Sequence, residues 1–166
     1  VVSIFDDNLW LYHLPVPLPI AQHFKENTKD NRVVCWLNDT VKIHAAIMPK
    51  KGVYYLMLSK DLRKKLGVEA GDAVQVKMEK DESKYGAPMP EELEEALYAD
   101  PEADEFFHQL TPGKQRNLIF LVGKLKSSNK RIEKAIVILE HLKQQQGKLD
   151  FKQLNIDFKE ANNRNW

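Results

Sequence analysis

Lys80-Asp81-Glu82-Ser83-Lys84-Tyr85-Gly86-Ala87-Pro88 is charged and then small and Pro-containing, with no apolar period of either kind, and the chain on its two sides obeys different periods. Upstream, apolar residues fall in short runs spaced by two and broken by Pro, Gly, Asn and Asp, which half-buried strands require. Strands are expected at 10–14, 33–37, 41–47, 54–58 and 73–78, with a weaker one at 1–5. Six strands suffice for a small closed barrel. Asn38-Asp39-Thr40 supplies turn formers that tolerate positive φ, so the flanking strands should form a hairpin. Alternation then puts Val41, Ile43 and Ala45 on one face and Lys42 and His44 on the other, pointing His44 outward. Ser59 as cap, Asp61 in the first turn and Gly67 as stop define a short helix over 59–66.

Downstream, the period is helical. Pro90, Asp100-Pro101 and Thr111-Pro112 start three helices, near 90–99, 101–110 and 112–126, because proline at a first helical position loses no hydrogen bond. Ser128 or Asn129 opens a fourth, whose Ile132, Ala135, Ile136, Leu139 and Leu142 form one stripe and whose stop is Gly147. The expected layout is α+β: a six-stranded barrel over 1–83, a linker at 84–89, a bundle of about four helices over 90–147 and a tail at 148–166, left open between strand-like and helical structure.

The chain has 166 residues, room for one domain or two small ones, and 25 basic against 24 acidic side chains give a net charge of +1. Cys35 is its only cysteine, which excludes disulfide scaffolds and cysteine-rich zinc sites and fits a cytoplasmic home. Its apolar neighbours make it a packing residue. His13, His23, His44, His108 and His141 share no metal-binding spacing, and no phosphate-cradling glycine motif occurs, so neither metal nor cofactor is expected. Ser127-Ser128-Asn129-Lys130 has a serine–lysine spacing seen in hydrolases without its companion motifs, and reads as a helix cap. The prolines of His13-Leu14-Pro15-Val16-Pro17-Leu18-Pro19 read as a stiff extended crossover.

Charge is segregated in the helical half. Glu91, Glu92, Glu94, Glu95, Asp100, Glu102, Asp104 and Glu105 are read as solvated acids near helix N-termini. Lys114, Arg116, Lys124, Lys126, Lys130, Arg131 and Lys134 form a basic strip for an anionic ligand or acidic peptide, or for pairing with those same acids. Arg63, Lys64 and Lys65 are the corresponding candidates in the first half.

The stretch from Leu62 through Gly67 and Gly71-Asp72 to Val76 resembles the Gly-Asp turn of AbrB-like barrels, where a short helix leads into a strand. With the strands before it, the first half resembles an uncharacterised split-barrel domain family. Pro90-Glu91-Glu92-Leu93, Asp100-Pro101-Glu102-Ala103, Phe106-Phe107 and Lys130 to Ala135 resemble the bacteriocin-protection family, YdeI or OmpD-associated. These resemblances imply a barrel joined to a helical domain and a link to stress or antimicrobial-peptide tolerance, with no reaction. The leading expectation is a monomeric, non-enzymatic binding protein. Two alternatives are a nucleic-acid-binding regulator using the barrel and basic strip, and an enzyme assembled from distant residues such as His13 and His44. Against the regulator, the first 83 residues balance twelve bases with eleven acids, whereas duplex binding concentrates cations.

Overall fold

The computed structural model describes residues 1–6 and 11–164, in two compact units that meet in sequence at Gly86 and Ala87. The first contains β1 (Ser3–Ile4), β2 (Tyr12–Val16), α1 (Leu18–Asn27), β3 (Arg32–Leu37), β4 (Val41–Ala46), β5 (Met48–Lys50), β6 (Val53–Met57), α2 (Lys60–Leu66) and β7 (Val76–Lys80). The strands form two antiparallel sheets, ordered β1-β2-β6-β5 and β4-β3-β7. Alternation turns Leu14, Val16, Leu56 and Leu58 of one sheet and Val33, Cys35 and Leu37 of the other into a single core. Ile47, buried between β4 and β5, is where the chain passes from one sheet to the other. The hairpin turn forms as expected, with Asn38 and Asp39 at φ 50° and 53°. Gly71 takes φ 91° and the Asp72 carboxylate accepts the Glu69 N–H at 2.8 Å.

No closed barrel forms among the described residues, and proline supplies the reason. Leu58 N–H donates to Tyr12 O while Phe5 N–H donates to Leu11 O, so Tyr12, Leu14 and Val16 address β6, and His13 and Pro15 address the opposite edge. β1 covers that edge only as far as His13. Beyond it Pro15 has no N–H to offer. Across the gap, the bonds Asn38 N–H to Gln75 O and Asp81 N–H to Arg32 O set the parity of β7: Lys77 and Glu79 address β3, while Val76, Met78 and Lys80 face away. The expected six-stranded barrel is therefore two sheets built from seven strands. The added strand is β5; the strand expected at 10–14 is displaced to Tyr12–Val16, its Trp10 lying outside the described residues; the one expected at 73–78 begins at Val76. The supposed proline crossover is a strand followed by a helix. Pro17 is the N-cap of α1 and Pro19 sits in its first turn, where neither loses a helical hydrogen bond.

The second unit contains α3 (Glu91–Ala99), α4 (Pro101–Gln109), α5 (Pro112–Gly123), α6 (Ser128–Gln144) and α7 (Phe151–Arg164). Asp100 caps α4 by accepting the Ala103 N–H at 3.1 Å, and Thr111 caps α5 through the Lys114 N–H at 3.4 Å. Pro90 is the N-cap of α3 rather than its first helical residue. Five helices replace the expected four because the tail forms α7, started by Asp150, whose carboxylate accepts the Lys152 and Gln153 N–H groups at 2.9 and 3.1 Å. The buried His141 ties α7 to α6: its Nδ1 hydrogen-bonds Asp157 at 2.7 Å and its Nε2 accepts the Asp150 N–H at 3.2 Å. Gly147 ends the connection at φ 79°, where a Cβ would come within 2.7 Å of the Phe106 ring. The end of the tail, with Trp166, lies outside the described residues.

The register of β7 makes a test by amide exchange. Lys77 and Glu79, bonded to β3, should exchange slowly, and Val76, Met78 and Lys80 rapidly; uniform protection along β7 would show that its outer edge is paired.

Candidate functional site

Helices α3 and α6 enclose an open trough of about 500 Å3. Glu92, Glu95, Ala96 and Ala99 come from one helical face of α3, and Ile132, Ile136, Leu139, Glu140 and Lys143 from one of α6. Leu93 and Leu97 turn to the core, leaving Ala96 and Ala99 on the trough side, where their short side chains leave the space open above the packed helices. Ile132 and Ile136 remain 42% and 47% exposed, one turn apart. An ion pair closes each end. Arg131 reaches Glu92 through Nε at 2.8 Å and Nη2 at 2.7 Å, and its Nη1 donates to the Leu125 and Lys126 carbonyls at 2.8 and 3.1 Å. These guanidinium hydrogen bonds, helped by one from Ser128, hold the Glu92 carboxyl down to about 2. Lys143 meets Asp100 at 2.6 Å and holds that carboxyl below its usual range. Glu92 and Asp100, expected to be simply solvated, are thus structural partners. Glu95 and Glu140 stay exposed along the rim.

A second cleft, of about 180 Å3, lies between α6 and α7 and is lined by Leu125, Lys130, Glu133, Lys134, Val137, Phe158, Ala161 and Asn162. Lys134 Nζ sits 4.6 Å from the centroid of the Phe158 ring. Partial burial, and the nearby charge of Lys124, lower its pKa. The first unit holds a third cleft, of about 170 Å3, lined entirely by apolar residues where β2 and β7 fail to meet. On its second sheet, Trp36 lies opposite Lys42 and Lys77 in register, with their Nζ atoms 5.7 and 5.3 Å from the ring centroid.

The basic strip is divided by the fold. Lys130 and Lys134 share the α6–α7 cleft with Lys124 near them; Arg131 is a structural clamp; Lys114, Arg116 and Lys126 do not line the cleft. Arg63 is also structural, its guanidinium 3.4 Å over the Tyr12 ring, while Lys64 and Lys65 are exposed. His44 does not face solvent. Its Nδ1 donates at 2.8 Å to Asp81, a carboxylate that also accepts the Ser83 N–H and hydroxyl and is held below its usual range. His13 stacks on Phe5 at 3.7 Å and donates to the Leu11 carbonyl, so the two histidines have different partners. Burial pushes the Cys35 thiol up to about 12. Ser127 is the N-cap of α6, without a side-chain cap bond. Among the described residues, no group of three or more His, Cys, Asp or Glu side chains is placed to hold a metal ion, and no helix is long and apolar enough to cross a membrane. The trough escaped sequence reading because Ile132 and Ile136 lie on the same stripe as core residues; only the alanines opposite them, unreadable before α3 and α6 are paired, mark it.

Residues 87–145 match the family described as bacteriocin-protection, YdeI or OmpD-associated. Residues 5–78 match a domain of unknown function, DUF1905. No curated protein and no solved structure matches the chain.

Replacing Arg131 by Ala should return Glu92 to the ordinary carboxylate range near ~4.3. A carboxyl-carbon NMR titration reads this directly. Because the folded value is depressed, the pair stabilises fully above the unfolded pKa, and the contribution is lost as pH falls towards about 2. An unchanged Glu92 titration in the variant would remove Arg131 as the cause.

Proposed function

We propose that this chain is a non-enzymatic binding protein linked to stress or antimicrobial-peptide tolerance, and that its helical unit holds a cationic amphipathic helix in the trough between α3 and α6. One observation carries this reading: an aliphatic floor of Ile132, Ile136, Ala96 and Ala99 rimmed by Glu95 and Glu140, in a space of about 500 Å3. A helix laid in such a groove buries its apolar face at one-turn spacing and sets its flanking Lys or Arg side chains against the acids. The small alanines leave depth for the incoming side chains. The bacteriocin-protection description of the family matched by this unit agrees with a peptide ligand. The engaged state of Cys35, His13, His44 and His141 favours binding over catalysis, since each is committed to packing or to a structural hydrogen bond.

A fluorescently labelled Lys- and Leu-rich amphipathic peptide, followed by anisotropy with the full chain, tests the reading. Ile136→Asp should weaken binding about tenfold or more, since it places a charge on the floor. Glu140→Lys should weaken it further at low salt than at high salt. Equal binding by wild type and both variants, or no binding at millimolar peptide, would overturn it.

A second reading has its own observation. Trp36, between Lys42 and Lys77 on the face of the three-stranded sheet, has the aromatic-plus-cation pattern on which single-stranded nucleic acid stacks. This nucleic-acid reading places the contact on a sheet face and not on Arg63 to Lys65. It expects a short oligothymidylate to bind at low salt, with Trp36→Ala reducing affinity about tenfold. Salt-independent or Trp36-independent binding would reject it.

A further inference from the structure

The α6–α7 cleft has features that close packing of two helices does not explain. Buried Leu154 and the His141–Asp157 bond fasten α7 to α6 towards one end. Two and three turns further along the same face of α6, where aliphatic side chains would close the seam, stand Lys134 and Lys130. They face Phe158, Ala161 and Asn162 of α7 across about 180 Å3. Among the described residues, no ion pair joins Lys124, Lys130 or Lys134 to a carboxylate; Glu133 lines the cleft without reaching any of them. The cleft is amphipathic: ammonium groups on α6 meet an apolar wall of Leu125, Val137 and Phe158.

From this arrangement we infer that the cleft is a binding site for a small organic anion, whose carboxylate or phosphate head lies on Lys130 and Lys134 and whose ring or short alkyl body packs against Phe158, Leu125 and Val137. Each half of the cleft demands one half of this ligand. Lys134 is half-buried with the charge of Lys124 near it, and an anion relieves that repulsion while making charge-assisted hydrogen bonds to Lys134 and the exposed Lys130. Size limits the body, because a cavity of about 150 Å3 accepts one benzene ring. Asn162 offers an amide at the α7 side for a further polar contact. The site is separate from the α3–α6 trough, so the two proposals stand or fall independently.

The test is an NMR titration of the isotopically labelled full chain with benzoate, phenyl phosphate, benzyl alcohol and inorganic phosphate. Benzoate or phenyl phosphate should shift Leu125, Val137, Phe158 and Ala161, and the stronger of the two identifies the head group. Benzyl alcohol, lacking charge, and inorganic phosphate, lacking a body, should each bind at least about tenfold more weakly. Lys130→Ala and Lys134→Ala should each weaken the aromatic anion about tenfold, Lys134→Arg should retain binding, and Lys114→Ala, outside the cleft, should leave it unchanged. Lys130 is exposed, so its variant keeps the test valid if Lys134→Ala loosens the fold. Inorganic phosphate matching phenyl phosphate, shifts lying elsewhere, or undiminished affinity in both Lys130→Ala and Lys134→Ala would overturn the inference.

Discussion

A helix packed by neighbours around its circumference cannot present one apolar stripe and one solvated face, and α6 is placed under that constraint. It packs against α3, α4, α5 and α7. Ala135, Ile138 and Leu142 enter the core, Ile132 and Ile136 line the trough, Lys130, Lys134 and His141 turn towards α7, and Arg131 reaches Glu92 on α3. Because the helical repeat is 3.6 residues, substitutions one position apart act on different neighbours. Arg131 binds α3 and the α5–α6 connection together, while Lys130 beside it belongs to the α7 cleft.

Chemistry and packing divide along the same lines. Three reactive side chains are firmly engaged: Cys35 in the core between two sheets, His44 on a buried carboxylate, and His141 between two helices. Both ring nitrogens of His141 have partners within the chain. The solvent-facing clefts, by contrast, hold aliphatic side chains with acids on one side of α6 and lysines on the other. Such surfaces suit recognition by shape and charge.

In the first unit the same reasoning applies to the backbone. An unpaired strand edge invites further pairing, and Pro15 blunts β2 at the position that would meet β7. The outcome is two sheets over one core with an apolar cleft at the parting. The chain begins α1 directly after β2, with Pro17 as cap, so proline both ends a sheet edge and starts a helix within three residues.

Much of this is written locally. The change of period around residues 80–88, the Asn38-Asp39 turn, the Ser59 cap, the Asp100-Pro101 and Thr111-Pro112 helix starts and the burial of Cys35 all depend on neighbours a few residues away, so the sequence alone determined them. Helix α1 and helix α7 were not legible, since their apolar residues are few and their stability comes from packing. Whether six alternating runs close into a barrel depended on which backbone edge Pro15 faces, a matter of register with β6. Exposed lysines and acids looked alike until helix pairing sorted them: Glu92 and Arg131 are 39 residues apart and become one ion pair, while Lys134 and Phe158 become one wall of a cleft. Only the tertiary structure could decide this, because the energy of a charge or an apolar side chain is set by what stands across from it in space, which spacing along the chain does not encode.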